Sequence, residues 1–134
     1  MGSTKTIYVV DDSDVILTQA RDLLRGHFRV RTFSSAAALL KVANSVGEPP
    51  DLLLIDIEMP VVGGAETLEK TRQLPGWEDI PVMLITSWDT DAVLEHFFSQ
   101  GVLDVINKPI VPSIIIARIN NYFKLIDYMR QSPQ

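Results

Sequence analysis

The chain has 134 residues, 46% of them hydrophobic, with a net charge of −5 and a pI near 4.9. That length suits one domain with a real core, and the acidic balance, with no run of Lys and Arg on one predicted face, argues against a nucleic-acid footprint. There is no cysteine, which excludes disulfides and thiolate metal sites, and no apolar stretch reaches the ~18 residues that suggest a membrane span.

Met1–Gly2–Ser3 reads equally well as a natural start or as residues left by cloning, with no charged-then-apolar signal segment behind it. A cytoplasmic setting is the expectation, with the domain over residues 4–129 and a tail over 130–134. Ile7-Tyr8-Val9-Val10 predicts the first strand. Val15-Ile16, Ala20 and Leu23-Leu24 then recur at helical spacing and stop before Gly26. A weaker strand follows near His27–Thr32, and Ser34 or Ser35 caps a helix through Val42. Leu52-Leu53-Leu54-Ile55 is the third strand, and Glu66–Leu74 fits a short helix ending near Pro75-Gly76. Val82-Met83-Leu84-Ile85 is the fourth. Asp89 or Thr90 caps the next helix, which runs to about Gln100 with Gly101 as its stop. A weaker strand near Val102–Ile106 precedes a last helix from Pro112 towards Met129.

The strong apolar runs are nearly continuous, as in parallel strands buried on both faces. A strand and a helix alternate five times, which predicts parallel βαβ units with right-handed crossovers. The expected fold class is α/β: a doubly wound, five-stranded parallel sheet of order 2-1-3-4-5, flavodoxin-like. In such sheets ligands bind outside the carboxyl ends of the strands, near the switch in strand order. Here those ends carry Asp11-Asp12, Asp56, Thr86-Ser87 and Asn107-Lys108-Pro109. The first and third strands are neighbours in this order, so three carboxylates converge. They repel one another unless a cation joins them, and Mg²⁺ fits an all-oxygen site of this kind. With a hydroxyl from Thr86 and the charge of Lys108, the set suits phosphoryl transfer, which is mostly positioning and charge neutralisation.

The residues carry a family resemblance over nearly the whole chain, about Thr4 to Met129. Val9-Val10-Asp11-Asp12-Ser13, Asp56 followed by Met59-Pro60 and Gly64, Ile85-Thr86-Ser87, and Asn107-Lys108-Pro109 stand in order at the strand ends. In this the chain resembles the receiver domains of bacterial two-component response regulators. The resemblance implies a phosphoacceptor that catalyses its own phosphorylation and dephosphorylation, not a turnover enzyme. Asp56 would take the phosphoryl group from a sensor histidine kinase or phosphotransfer protein. Asp12 would bind Mg²⁺ directly and Asp11 through water, with Asp56 and the backbone carbonyl of Glu58 completing the protein ligands. Lys108 would contact the Asp56 carboxylate and then the phosphoryl group. Thr86 would move to bond a phosphoryl oxygen and shift the segment after the fourth strand. Pro109 would follow a cis peptide bond, otherwise found before ~5% of prolines.

Several positions depart from the family pattern. Val105 stands where the family usually has Tyr or Phe, so a swinging ring cannot couple to Thr86; Trp88 and Phe98 are large side chains placed to take over that role. Glu58 and Trp88 occupy the positions that tune phosphoryl lifetime in the family, with Ser87 beside them, and Gly63 replaces a common Asp as turn variation. Leu94 and Phe98 form an i, i+4 pair beside Val93 and Phe97. They read either as one wide core stripe or, with Val105, as an output surface for a homodimer or an adjoining domain. His27 and His96 are too few for a metal site. Ile115, Ile119, Tyr122, Ile126 and Met129 keep heptad spacing too briefly for a sustained coiled coil, so core packing is expected in the first half of that helix. Around Ala117-Arg118-Ile119 the long last helix looks like those of receivers that lead into cyclic-dinucleotide enzymes.

Three other readings compete. Asp11-Asp12 can simply cap the first helix. Asp12-Ser13-Asp14 imitates the Asp-x-Asp of haloacid-dehalogenase-like phosphatases, but the helix that follows at once leaves no room for that family's inserted flap. A degenerate receiver acting only as an interaction module would bind neither Mg²⁺ nor phosphoryl analogues.

Overall fold

The computed structural model describes residues 4–45, 48–58, 63–87 and 90–131. The elements are β1 (Thr6–Val10), α1 (Asp14–Leu24), β2 (Arg29–Phe33), α2 (Ala36–Ala43), β3 (Leu52–Asp56), α3 (Gly64–Arg72), β4 (Val82–Thr86), α4 (Asp91–Ser99), β5 (Asp104–Asn107) and α5 (Pro112–Gln131). The strands pair in parallel in the order β2-β1-β3-β4-β5. The fold is thus the flavodoxin-like doubly wound sheet that the alternation predicts.

The continuous apolar runs are split by the two-residue period of the strands. Ile7, Val9, Leu52, Leu54, Met83, Ile85 and Ile106 pack on one face with Leu17, Ala20 and Leu24 of α1 and Ile115, Ile119 and Phe123 of α5. Tyr8, Val10, Leu53, Ile55, Val82, Leu84 and Val105 pack on the other with Leu39, Leu68 and Phe97 of α2, α3 and α4. β3 and β4 are buried throughout because helices cover both faces. β2 is an edge strand with exposed Arg29 and Arg31; the Arg31 guanidinium covers the Tyr8 and Phe33 rings.

Several boundaries differ from the sequence reading. Ser35 and Thr90 are the N-caps of α2 and α4, each accepting a backbone N–H three residues on; Asp89 lies outside the described residues. α3 begins at Gly64 rather than Glu66, and Gly64 packs so tightly on Ile57 that a Cβ there would stand 2.5 Å from the Ile57 Cα. β5 starts at Asp104, although Leu103 N–H already donates to the Val82 carbonyl at 2.7 Å. α5 continues to Gln131, so Arg130 and Gln131 are helical and not tail. Phe123, not Tyr122, completes its buried stripe after Ile115 and Ile119. Tyr122 and Ile126 are half-buried and Met129 is exposed.

Candidate functional site

The carboxyl ends of β1 and β3 lie side by side, since Val10 is in register with Ile55. Asp11 and Asp12 follow the first and Asp56 ends the second. Carboxylate oxygens of all three lie within 4.8 Å of one another. Asp11 and Asp56 are buried and Asp12 is exposed. The helix-cap reading of Asp11-Asp12 is not what the structure holds: Ser13 is the N-cap of α1, its Oγ accepting from Ile16 N–H at 3.3 Å. Asp11 Oδ1 instead accepts from Ser13 N–H at 2.9 Å and ties the acidic pair to the helix start. α1 opens at Asp14, with only the Ser13 cap between it and this pair, which leaves no insertion at that point of the chain.

Lys108 follows β5, and the Lys108–Pro109 bond is cis. Its ammonium lies 3.2 Å from Asp11 Oδ2 and 3.4 Å from Asp56 Oδ2. The sequence reading gave Lys108 only to Asp56; the structure gives it to both acids. Lys108 is half-buried. That burial would lower its pKa, but attraction to Asp11 and Asp56 outweighs it and the pKa is raised. Asp11 is pushed the other way, to about 6, by burial first and by the charge of Asp56, against the Ser13 N–H and Lys108. Asp11 Oδ2 is buried and accepts no well-formed hydrogen bond. Its charge is met by the Lys108 ammonium at 3.2 Å, but three carboxylates within reach of one another carry more negative charge than one lysine balances, and that surplus fits a hard divalent cation.

Asp56 Oδ1 accepts from Glu58 N–H at 2.9 Å, so the turn after β3 folds back on its own carboxylate. Across the sheet Ile85 is in register with Asp56, and Thr86 with Asn107. Thr86 is buried at the end of β4, and Ser87 beyond it is exposed. The sequence reading used Glu58 for its backbone carbonyl and as a position that tunes phosphoryl lifetime, and did not foresee the bonds its side chain makes. Glu58 Oε2 accepts from the Thr86 hydroxyl at 3.2 Å and from Ser87 N–H at 2.7 Å, and the Ser87 hydroxyl lies 2.8 and 2.9 Å from its two oxygens. Burial would raise the pKa of Glu58, but these bonds from Ser87 and Thr86, with Lys108 nearby, hold it below the usual value. The signal in the sequence was an acid two residues past a strand-end Asp, facing a Thr-Ser pair on the next strand.

The expected output surface is only partly present. Phe98 is 46% exposed, but Leu94 turns inward with Val93 and packs on the core. Val105 is buried at 8% exposure in that same core, because the period of β5 points it at α4. Neither lies on an open face. Arg118 covers this edge, donating to the Val105 carbonyl at 2.8 Å and standing 3.6 Å from Asp104. Trp88 and Met59-Pro60 lie outside the described residues.

A family model described as the response regulator receiver domain matches residues 7–120. Among curated relatives, the cyclic di-GMP phosphodiesterase response regulator RpfG of Xanthomonas campestris is 39% identical over 75 residues, covering 56% of this chain and 20% of RpfG. The polar-differentiation response regulator DivK of Brucella ovis is 31% identical over 121 residues, covering 89% of this chain and 96% of DivK. The solved BeF₃-activated receiver domain of DrrB, a Thermotoga maritima protein, superposes with a TM-score of 0.79 at 25% identity, covering 91% of this chain and 99% of that one. The chain spans 7% to 49% of the longer relatives it matches. Among the described residues no helix is long and apolar enough to cross a membrane. With the sheet order, the acidic trio and the lysine already in place, the family match is decisive, and the chain belongs to the response regulator receiver domains, the phosphoacceptor modules of two-component signalling.

Proposed function

We propose that Asp56 is the phosphoacceptor of this receiver and takes its phosphoryl group from a sensor histidine kinase or phosphotransfer protein. The observation that carries the reading is the placement of Asp56. It is a buried strand-end carboxylate held by Glu58 N–H on one oxygen and facing Lys108 at 3.4 Å on the other. An Asp56 oxygen attacks phosphorus as the N–P bond of a phosphohistidine breaks. The electron pair stays on the imidazole nitrogen, which takes a proton, and the product is an acyl phosphate. Lys108, fixed between Asp11 and Asp56, balances charge on the transferring oxygens. Asp11, Asp12, Asp56 and the backbone carbonyl of Glu58 would hold Mg²⁺, which supplies further neutralisation of the phosphoryl oxygens when bound. Thr86 then donates to a phosphoryl oxygen, which passes the change to the segment between β4 and α4. The reaction is single-turnover at Asp56, with the domain catalysing its own charging and hydrolysis. Phe98 is an exposed apolar group through which the change on the α4, β5 and α5 side reaches a second copy or an output domain.

The test is intact mass after incubation with acetyl phosphate and Mg²⁺. A single adduct of about 80 Da, the mass of one phosphoryl group, is expected in wild type and absent in Asp56→Asn. An adduct that persists in Asp56→Asn overturns the assignment. Beryllofluoride should bind more tightly with Mg²⁺ than without, and this synergy should vanish in Asp12→Ala. Equal affinity with and without Mg²⁺ rules out the metal-bridged site.

A further inference from the structure

Glu58 does something with its side chain that the proposed reaction does not use. Its carboxylate spans from the turn after β3 to the end of β4 and sits on the Thr86 hydroxyl and the Ser87 N–H at 3.2 and 2.7 Å, with the Ser87 hydroxyl shared between its oxygens at 2.8 and 2.9 Å. Under the function proposed above, on which this inference rests, a phosphoryl oxygen on Asp56 needs the Thr86 hydroxyl, and the backbone amide that follows it is the next donor in line. A carboxylate presents two oxygens bearing negative charge, as does one edge of a phosphoryl group. Bonds from neutral donors to an ionised acceptor are the stronger kind, and one hydroxyl proton cannot serve two anions at once.

We propose that Glu58 is a built-in anionic competitor: its carboxylate fills the Thr86 and Ser87 donors while Asp56 is unmodified, and must release them before a phosphoryl oxygen takes its place. Two consequences follow. Charging the domain includes the free energy of breaking the Glu58 contacts, so Glu58 sets how readily Asp56 is modified. Release also unties Ser87, so occupancy of one small donor set decides whether the end of β4 is held to the turn after β3.

The rival account is that Glu58 acts only by charge, repelling an incoming phosphoryl group without holding anything. Shortening the side chain separates the two, because Glu58→Asp keeps the charge and loses reach. The full chain is used, and beryllofluoride affinity in saturating Mg²⁺ is measured by fluorine NMR. Glu58→Ala and Glu58→Gln should bind the mimic about 10-fold more tightly than wild type, the size expected from losing one charged hydrogen bond in competition. Glu58→Asp should also gain, by at least about 3-fold. A second readout needs no mimic. In metal-free protein the Ser87 amide proton should exchange about 10-fold faster in Glu58→Gln and Glu58→Asp than in wild type. Unchanged or weaker mimic binding in Glu58→Ala and Glu58→Gln overturns the competition. Wild-type affinity in Glu58→Asp together with a gain in Glu58→Gln assigns the effect to charge alone and overturns it too, as does unchanged exchange at Ser87. If wild type fails to bind the mimic, or Asp56→Asn binds it equally well, the underlying assignment of Asp56 has failed and the competition falls with it. The Ser87 exchange rates still report whether the tie exists, so the two failures are told apart.

Discussion

The Lys108 ammonium stands 3.2 Å from Asp11 Oδ2, a buried oxygen that no well-formed hydrogen bond reaches. One cation therefore answers for two buried acids, since Asp56 lies 3.4 Å from the same nitrogen. Removing one partner of such a group leaves uncompensated charge. Lys108→Met should lower stability in chelator-treated protein by about 2–3 kcal/mol, less than the ~3–5 kcal/mol of a fully buried pair because the lysine keeps some contact with water. Adding Mg²⁺ should recover part of the loss. A urea midpoint unchanged from wild type would show that Asp11 and Asp56 do not depend on this lysine.

The acids themselves oppose folding. Asp12 is exposed, and an Asn at 56 keeps an oxygen for the Glu58 N–H. Asp12→Ala and Asp56→Asn should leave stability unchanged or raise it by about 1 kcal/mol in metal-free buffer, through relief of like-charge repulsion. A clear fall in the denaturation midpoint of either variant would mean the acids are structural.

Asp11 gives the pH dependence its sign. Its carboxyl is raised from 3.8 to about 6, chiefly by burial, so the folded chain binds this proton more tightly than the unfolded chain does. Such a group supports the fold fully below about pH 4, and that support is lost as pH rises through about 6. In chelator-treated protein, wild type should therefore lose stability relative to Asp11→Asn between about pH 4 and 6, by up to about 3 kcal/mol. Parallel stability curves for the two proteins across that window would contradict the buried carboxyl.

Gly64 sits where any side chain meets Ile57, the residue after Asp56. Alanine in a helix ordinarily gains up to about 1 kcal/mol over glycine. Here overpacking of about 1–3 kcal/mol should win, because the clash is with backbone, which cannot rotate away. Gly64→Ala should lower the melting temperature and slow acetyl phosphate labelling together, since the strain falls on the turn that positions Asp56. Higher stability would show that the turn yields freely.

Phe98 and Leu94 should part company. Phe98→Ala should change the denaturation midpoint little and abolish phosphorylation-dependent association, measured by sedimentation with beryllofluoride and Mg²⁺. Leu94→Ala should cost about 1–2 kcal/mol of stability, as a partly buried leucine does. Association that survives Phe98→Ala places the output surface elsewhere.

Strand order, the alternation of strands and helices, and the meeting of Asp11, Asp12, Asp56 and Lys108 were legible in the sequence. Each follows from local signals: continuous apolar runs, helical spacing, and polar residues at strand ends. What escaped needed distance across the fold. Leu94 and Val105 look alike as apolar residues whether they face the core or water; the register of Leu84 with Val105 places the one, and packing against the core places the other. The reach of Glu58 to Ser87 joins residues 29 apart, and no periodicity encodes it. Nor does any pattern announce that Arg72, at the end of α3, donates to the carbonyl of Gln100, at the end of α4.

That last bond has a mechanical meaning. α4 is gripped at its far end, where Arg72 holds Gln100 and Leu103 N–H joins Val82. Its near end begins at the Thr90 cap. Between the two ends Val93, Leu94 and Phe97 seat α4 on the core, so the helix is located along its length and not at one end alone. To that packing Arg72 adds a direct tie between the last turn of α3 and the last turn of α4.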